Sequence, residues 1–186
     1  MIAKPATSTP RRRTYSRKPG LQSCAQARRQ VGSLFKPVVV LTALETDRYH
    51  LASPIDDAPI VLSDFNNWAP LNFDGQFRGP VPLVRALSDS LNVATVRLGM
   101  SMGVANFANR ITSLTGKAIT QPFPSLFLGA LDLTPFEVSE LYAAFASGGF
   151  RTPGKSVVVV LDTGDATLSR YAIDVNQISA PTMQRP

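Results

Sequence analysis

The sequence has almost none of the side chains that most often carry redox or metal chemistry. Among 186 residues there is one cysteine, Cys24, and one histidine, His50. A lone cysteine excludes an intrachain disulfide, and a lone histidine argues against a histidine-cluster metal site and a Ser-His-Asp triad. Spacing alone allows a Cys24–His50 nucleophilic pair, but nothing local supports it, and Cys24 reads as incidental. Long apolar runs are also missing. The longest candidate, Val38 to Leu44, falls far short of the ~18–20 residues a membrane helix needs. The first twenty residues lack the apolar stretch of a secretory signal. No transmembrane segment, signal peptide or membrane anchor is therefore expected in this chain.

Acidic residues are absent from the front of the chain. Residues 1–44 carry nine Lys/Arg and no Asp/Glu, whereas residues 45–186 carry ten basic and thirteen acidic groups, a balance of −3 within the overall +6. The basic excess therefore belongs to the N-terminal part. Arg11-Arg12-Arg13, Arg17 and Lys18 sit among Thr, Ser and Pro with no apolar run. Residues 1–24 read as a disordered, solvated tail, although such tails also contact nucleic acid or anionic membranes. No nucleic-acid partner is expected.

What remains is globular. Hydrophobic residues make up 44% and charged residues 17%, enough for one domain with a real core. Pro37 is tolerable in the first turn of a helix, and Val38, Val39, Val40, Leu41 and Leu44 make that helix apolar on most sides, as a buried central helix would be. Ser53 to Gly79 reads as a long loop, punctuated by Pro54, Asp56-Asp57, Pro59, Asn66-Asn67, Pro70 and Asp74-Gly75. Leu83, Val84, Leu87 and Leu91 mark a helix that ends at Ser90-Leu91-Asn92. Two short helices follow, Val93 to Met102 and Val104 to Leu114, closed by Gly116. Thr134-Pro135-Phe136-Glu137 is a capping box with Pro at the first helical position; the helix continues through Phe145 to Gly148-Gly149. Val157 to Leu161, a turn at Asp162 to Asp165, and Thr167 to Tyr171 predict a β-hairpin near residues 156–172. No internal repeat is found.

Two short motifs carry candidate chemistry. Ser33 and Lys36 stand three residues apart, on one face of a helix. A serine attacks a carbonyl only when a base takes its proton, and a lysine can be that base only when neutral. Apolar Leu34, Phe35 and Val38 to Val40 are the surroundings that lower a lysine pKa. The backbone N–H of Ser33, at the helix start, can stabilise an oxyanion. Ser90 and Asn92 form a Ser-x-Asn downstream. Each motif also has a purely structural reading: Ser33 as a helix N-cap, Lys36 as a surface lysine, Asn92 as a helix-terminating residue.

The flanking sequence resembles a known family. Gln26-Ala-Arg-Arg-Gln-Val-Gly-Ser-Leu-Phe-Lys-Pro37, with the apolar helix after it, resembles the nucleophile segment of class A penicillin-binding proteins, the bifunctional peptidoglycan synthases. Trp68-Ala-Pro-Leu-Asn-Phe-Asp-Gly-Gln-Phe-Arg-Gly79 is similar to that family's Trp-x-Pro-x-Asn segment. Residues 83–103 resemble its Ser-x-Asn region. Leu128-Gly-Ala-Leu131, with Thr134-Pro135 through Gly148-Gly149-Phe150-Arg151, resembles a further block. The blocks are collinear over about residues 25–160.

The resemblance implies a D,D-transpeptidase acting on peptidoglycan stem peptides that end in D-Ala-D-Ala. Ser33 would be the acylated nucleophile and Lys36 its base. Ser90 would relay a proton to the leaving amine, and Asn92 would bind the substrate's amide backbone. β-Lactams would acylate Ser33. No cofactor and no metal are implied. The family acts on the outer, periplasmic face of the cytoplasmic membrane. The implied fold is the helix-rich α/β part of the penicillin-binding/serine β-lactamase-like transpeptidase fold, with a β-hairpin and an incomplete antiparallel sheet. Residues 25–186 would form a partial transpeptidase domain.

One expected motif is missing. No Lys-Ser/Thr-Gly occurs in the chain: Lys155-Ser156-Val157 lacks the glycine, and Thr115-Gly116-Lys117 has the wrong order. In the family that motif lies after the segment where this chain ends, so the expectation is a transpeptidase segment not competent alone, with exposed apolar surface and poor solubility. The alternative is an inactive fragment or an interaction module. Gly149 to Ser156 also fits a phosphate-binding loop expression. That reading is disfavoured, because such a loop needs a strand before it and a helix after it, and here the order is reversed.

Overall fold

A computed structural model of the chain describes residues 24–155 and 157–177. The expected N-terminal tail lies outside the described residues, apart from Cys24, an exposed free thiol. In chain order the elements are β1 (Arg29–Gln30), a 3-10 turn (Gly32–Phe35), α1 (Lys36–Leu44), β2 (Pro54–Asp57), β3 (Gly79–Pro82), α2 (Leu83–Ser88), α3 (Asn92–Met102) and α4 (Val104–Thr115). A second 3-10 turn (Pro124–Leu128), β4 (Asp132–Leu133), α5 (Pro135–Ala146), β5 (Phe150–Arg151), β6 (Val159–Leu161), β7 (Thr167–Arg170) and β8 (Asn176–Gln177) follow.

The central helix is α1. Val38, Val39, Val40, Leu41 and Ala43 are all buried, so apolar side chains face neighbours on nearly every side. β-Branched valines are mediocre helix formers. This helix therefore owes its stability to the α2, α3 and α4 helices packed around it. Phe35, at its entrance, meets Phe107 edge-on at 6.0 Å, and Phe107 meets Phe127 at 5.0 Å. α5 begins as its sequence predicts: Glu137 N–H donates to Thr134 Oγ1, and Thr134 N–H donates to Glu137 Oε2.

The strands form four separate antiparallel pairs, β1–β4, β2–β3, β5–β8 and β6–β7, and no wider sheet exists among the described residues. The expected hairpin is β6–β7, with Asp162 Oδ1 accepting the Gly164 and Ala166 N–H groups in its turn. Both of its faces are open. Val157 through Leu161, Leu168, Tyr171, Ile173 and Val175 are all exposed, between 38% and 70%, which matches the expected exposed apolar surface.

Residues 53–79 are more ordered than a loop. Pro54–Asp57 pairs with Gly79–Pro82, Ile55 opposite Val81. Three of the eight paired positions are prolines. A two-stranded ladder accepts them because no third strand needs their missing N–H groups. Between these strands the chain makes an excursion anchored by the Leu62–Trp68 bridge and by Phe65 and Trp68, which pack edge-on against Phe123.

The Gly32–Phe35 turn is held against residues 129–133. Arg29 pairs with Leu133 and Gln30 with Asp132. Val31 N–H then donates to Leu131 O, and Gly32 N–H to Gly129 O, both at 3.0 Å. Gly129 has φ +77°, and a Cβ there would fall within 3 Å of the Gly32 N, C and O atoms. Two backbones touch with no side chain between them. Gly129→Ala is therefore expected to cost more than ~2 kcal/mol, since both strain and a backbone clash follow; a denaturant midpoint within error of the parent would contradict this packing account.

Candidate active site

Ser33 lies in the 3-10 turn and is exposed. In such a turn, side chains three residues apart eclipse, so Ser33 and Lys36 share one side. The turn closes through Lys36 N–H donating to Ser33 O. Ser33 does not cap the helix: the flanking residue is Val31, and no side-chain cap hydrogen bond forms. The first N–H groups of a helix lack intrahelical acceptors. That leaves the Ser33 N–H available to a ligand oxygen.

Lys36 is not a surface lysine. It is 1% exposed. Its Nζ donates to Ser90 O at 2.5 Å, Ser90 Oγ at 2.9 Å and Asn92 Oδ1 at 2.6 Å. An ammonium has three donors, and these acceptors use all of them. The sequence pattern pairs Lys36 with Ser33, but in this resting arrangement Lys36 turns to the Ser-x-Asn segment instead. The cause is the supply of acceptors: three converge there, against one hydroxyl at Ser33. All three are neutral, so no carboxylate offsets the loss of water around the charge. Burial accordingly lowers the Lys36 pKa from its ordinary 10.5 to about 8.

Ser90 and Asn92 sit at a junction between helices rather than at the end of one. α2 stops at Ser88. Ser90 N–H donates to Leu87 O and Leu91 N–H to Ala86 O, the paired bonds of a Schellman turn. Ser90 fills the left-handed position of that turn, at φ +53°, where glycine is usual. Asn92 then opens α3. Its Nδ2 donates to Leu71 O at 2.8 Å while its Oδ1 accepts from Lys36. The four expected residues thus lie on two elements: Lys36, Ser90 and Asn92 in direct contact, and Ser33 one turn away from Lys36.

Sequence reasoning missed Asp57 and Asn72, which lie beneath this cluster. Asn72 is 5% exposed and Asp57 is fully buried. The only signals were Asn72's place in the Trp-x-Pro-x-Asn segment and the turn-like Asp56-Asp57 pair. Tyr142, on α5, reaches the same turn: its hydroxyl donates to Leu34 O at 2.9 Å, one residue after Ser33. A groove of about 610 Å³ lined by Val31, Leu34, Pro135, Val138 and Tyr142 runs along this side of the turn, and none of the four candidate residues lines it.

Other chemistries find no support in the geometry. Among the described residues, no group of three or more His, Cys, Asp or Glu side chains is placed to hold a metal ion. No described helix is long and apolar enough to cross a membrane. The segment 149–155 follows α5 and leads through β5 into β6, so among the described residues a helix precedes it and strands follow; Ser156 lies outside the described residues. Lys155 Nζ is engaged with Ala172 O and Asp174 Oδ2.

Comparisons with known proteins agree on one family. The profile described as "Penicillin binding protein transpeptidase domain" matches residues 2–184. Penicillin-binding protein 1B of Vibrio cholerae is 41% identical over 147 residues, which is 77% of this chain and 19% of that protein. Penicillin-binding protein 1B of Escherichia coli is 44% identical over 140 residues, 72% of this chain and 17% of that protein. The chain therefore spans about a fifth of the length of these curated relatives. Among solved structures, penicillin-binding protein 1A from Haemophilus influenzae superposes with a TM-score of 0.75 at 27% identity, covering 82% of this chain and 23% of that one. Penicillin-binding protein A from M. tuberculosis, solved as an imipenem acyl-enzyme complex, superposes with a TM-score of 0.74 at 19% identity, over 84% of this chain and 41% of that one.

Proposed function

The chain belongs to the penicillin-binding protein transpeptidase-domain family, and from that premise we propose that its site performs serine acyl transfer on a peptide amide. The observation that carries the proposal is a buried lysine, 1% exposed, held only by neutral acceptors from Ser90 and Asn92, one turn from an exposed serine. Ser33 Oγ attacks the amide carbonyl carbon and gives its proton to neutral Lys36 Nζ. The Ser33 N–H holds the oxyanion. As the carbon–nitrogen bond breaks, the proton passes from Lys36 through Ser90 Oγ to the departing amine. The Ser33 ester is then attacked by an incoming amine, whose proton passes through Lys36 to Ser33 Oγ as the new amide bond forms and the ester bond breaks. Asn92 keeps one Nδ2–H beyond its bond to Leu71 O for a substrate carbonyl.

With its pKa lowered by burial to about 8, Lys36 is neutral near physiological pH in a far larger share of molecules than an ordinary lysine is. The proposed substrate is a peptidoglycan stem peptide ending in D-Ala-D-Ala, with D-alanine as the leaving amine, on the periplasmic side of the cytoplasmic membrane. In a β-lactam the broken bond lies within a ring. The amine stays attached, and the Ser33 ester persists. Residues 25–186 would be part of a transpeptidase domain and residues 1–24 a tail.

The second reading, an inactive segment or interaction module, is favoured by one observation: no Lys-Ser/Thr-Gly occurs in these 186 residues. An oxyanion donor is worth ~10²–10³ in rate, so acylation by these 186 residues alone is expected to be slow. A fluorescent penicillin separates the readings. Covalent labelling that disappears in Ser33→Ala is the expected result; a folded chain that takes no label supports the inactive module.

A further inference from the structure

Beneath the Ser-x-Asn junction lies a polar unit whose hydrogen bonds run to α3 and to residues 76–78 rather than to Ser33 or Lys36. Asn72 Oδ1 accepts the backbone N–H of Asn92 at 2.8 Å and of Val93 at 3.2 Å. These are the first two N–H groups of α3, which otherwise lack partners. No residue at the start of α3 caps it: Leu91 occupies that place and has no side-chain acceptor. The cap therefore comes from another segment, twenty residues earlier in the chain. Asn72 Nδ2 donates to Asp57 Oδ1 at 2.9 Å, Asp57 Oδ2 at 2.8 Å and Gln76 O at 2.8 Å. Asp57 also accepts the Arg78 N–H at 3.1 Å, with the Arg78 guanidinium at 4.0 Å.

We infer that Asn72 and Asp57 are positioning residues for the acyl-transfer site, and the inference rests on that reading of the site. A buried carboxylate accepts only, so Asp57 dictates which end of the Asn72 side chain faces it. The amide nitrogen turns to Asp57 and the oxygen is left pointing at α3. That oxygen fixes the first turn of α3, and with it the Asn92 side chain, whose Oδ1 holds Lys36 and whose Nδ2 holds Leu71 O. Asp57 thus acts on Lys36 through two amides. Outer partners that hold metal ligands in this way matter by about 10–100-fold, and an effect of that order is expected for Asn72.

The test uses polarity reversal. Asn72→Asp sets two carboxylates against each other. Adding Asp57→Asn restores one amide and one carboxylate, with the carboxylate now capping α3. Single-turnover acylation by a fluorescent penicillin should fall about 10–100-fold in Asn72→Ala and Asn72→Asp. The fall should lie in the limiting rate rather than in the half-saturating concentration, and the double variant should be severalfold faster than Asn72→Asp, short of the parent because Gln76 O has lost its donor. Folded Asn72→Ala acylating within twofold of the parent would overturn the inference. So would a double variant no faster than Asn72→Asp.

If the parent itself takes no label, the acyl-transfer reading fails on its own, and the positioning role is still read from Lys36. In ¹³Cε-lysine NMR, loss of a fixed Asn92 acceptor withdraws support from the ammonium, so the Lys36 midpoint should fall in Asn72→Ala. An unchanged midpoint overturns the inference there too.

Discussion

Lys36→Met is expected to slow penicillin acylation of Ser33 by about 10²–10⁴-fold, the range a general base contributes, while leaving the chain as stable as before or more so. The two halves follow from the same burial. Lys36 is 1% exposed, and its partners are a carbonyl, a hydroxyl and a carboxamide. Removing it leaves no unpaired buried charge behind, which is what makes most deletions from buried ionic sites costly. Ser90 is exposed, so water can replace the lost donor there. Methionine fills nearly the same volume at this buried position.

The pH dependence of stability separates the two proteins. The Lys36 pKa is lowered on folding from 10.5 to about 8. Between those values the unfolded chain binds more protons than the folded one, so stability rises with pH across that window; below about 8 the full cost of burying the charge is present. Denaturant midpoints at pH 7.5 and 10 should therefore differ more in the parent than in Lys36→Met. Equal pH dependence in the two, or a variant that fails to fold, would contradict this view of Lys36.

Ser90→Gly is expected to make the protein more stable and less active. Ser90 stands at φ +53° in the Schellman turn between α2 and α3. A left-handed conformation costs a side-chain-bearing residue ~1–2 kcal/mol. Glycine relieves that strain but loses more entropy on folding, so the net gain is about 0.5–1 kcal/mol. The same substitution removes the hydroxyl that accepts from Lys36 at 2.9 Å. Acylation should fall about 10²-fold or more, as for the loss of a proton relay. Ser90→Ala should lose the same rate without the gain in stability. If Ser90→Gly melts below Ser90→Ala, the strain argument is wrong; if it acylates at the parent rate, the hydroxyl is not in the proton path.

The parts of this site legible in the sequence were the local ones. The capping box of α5, the apolar α1 helix and the β6–β7 hairpin rest on neighbours a few residues apart, and patterning reads those directly. Ser33, Lys36, Ser90 and Asn92 could be named because their motifs are short and their flanks resemble a family. Contacts across the chain were hidden. Nothing in the spacing of Ser33 and Lys36 says that the lysine would reach 54 residues ahead to Ser90. Asn72 was part of a quoted block with no role; its cap on α3 depends on the excursion between β2 and β3 folding back. The excursion itself read as loop because its bounding strands are rich in proline, which a two-stranded pair tolerates and a sheet interior does not. Gly129 likewise belonged to a block whose physical reason, contact with the Gly32 backbone, appears only in three dimensions.

The most direct test of the account is the pH profile of single-turnover acylation by benzylpenicillin, followed by intact mass and mapped to the modified peptide. A buried lysine acting as base for Ser33 predicts one adduct, on Ser33, and a rate that rises about tenfold per pH unit below the midpoint near 8 and levels above it. A rate independent of pH across that range, an adduct on another residue, or no adduct on a folded chain would contradict it.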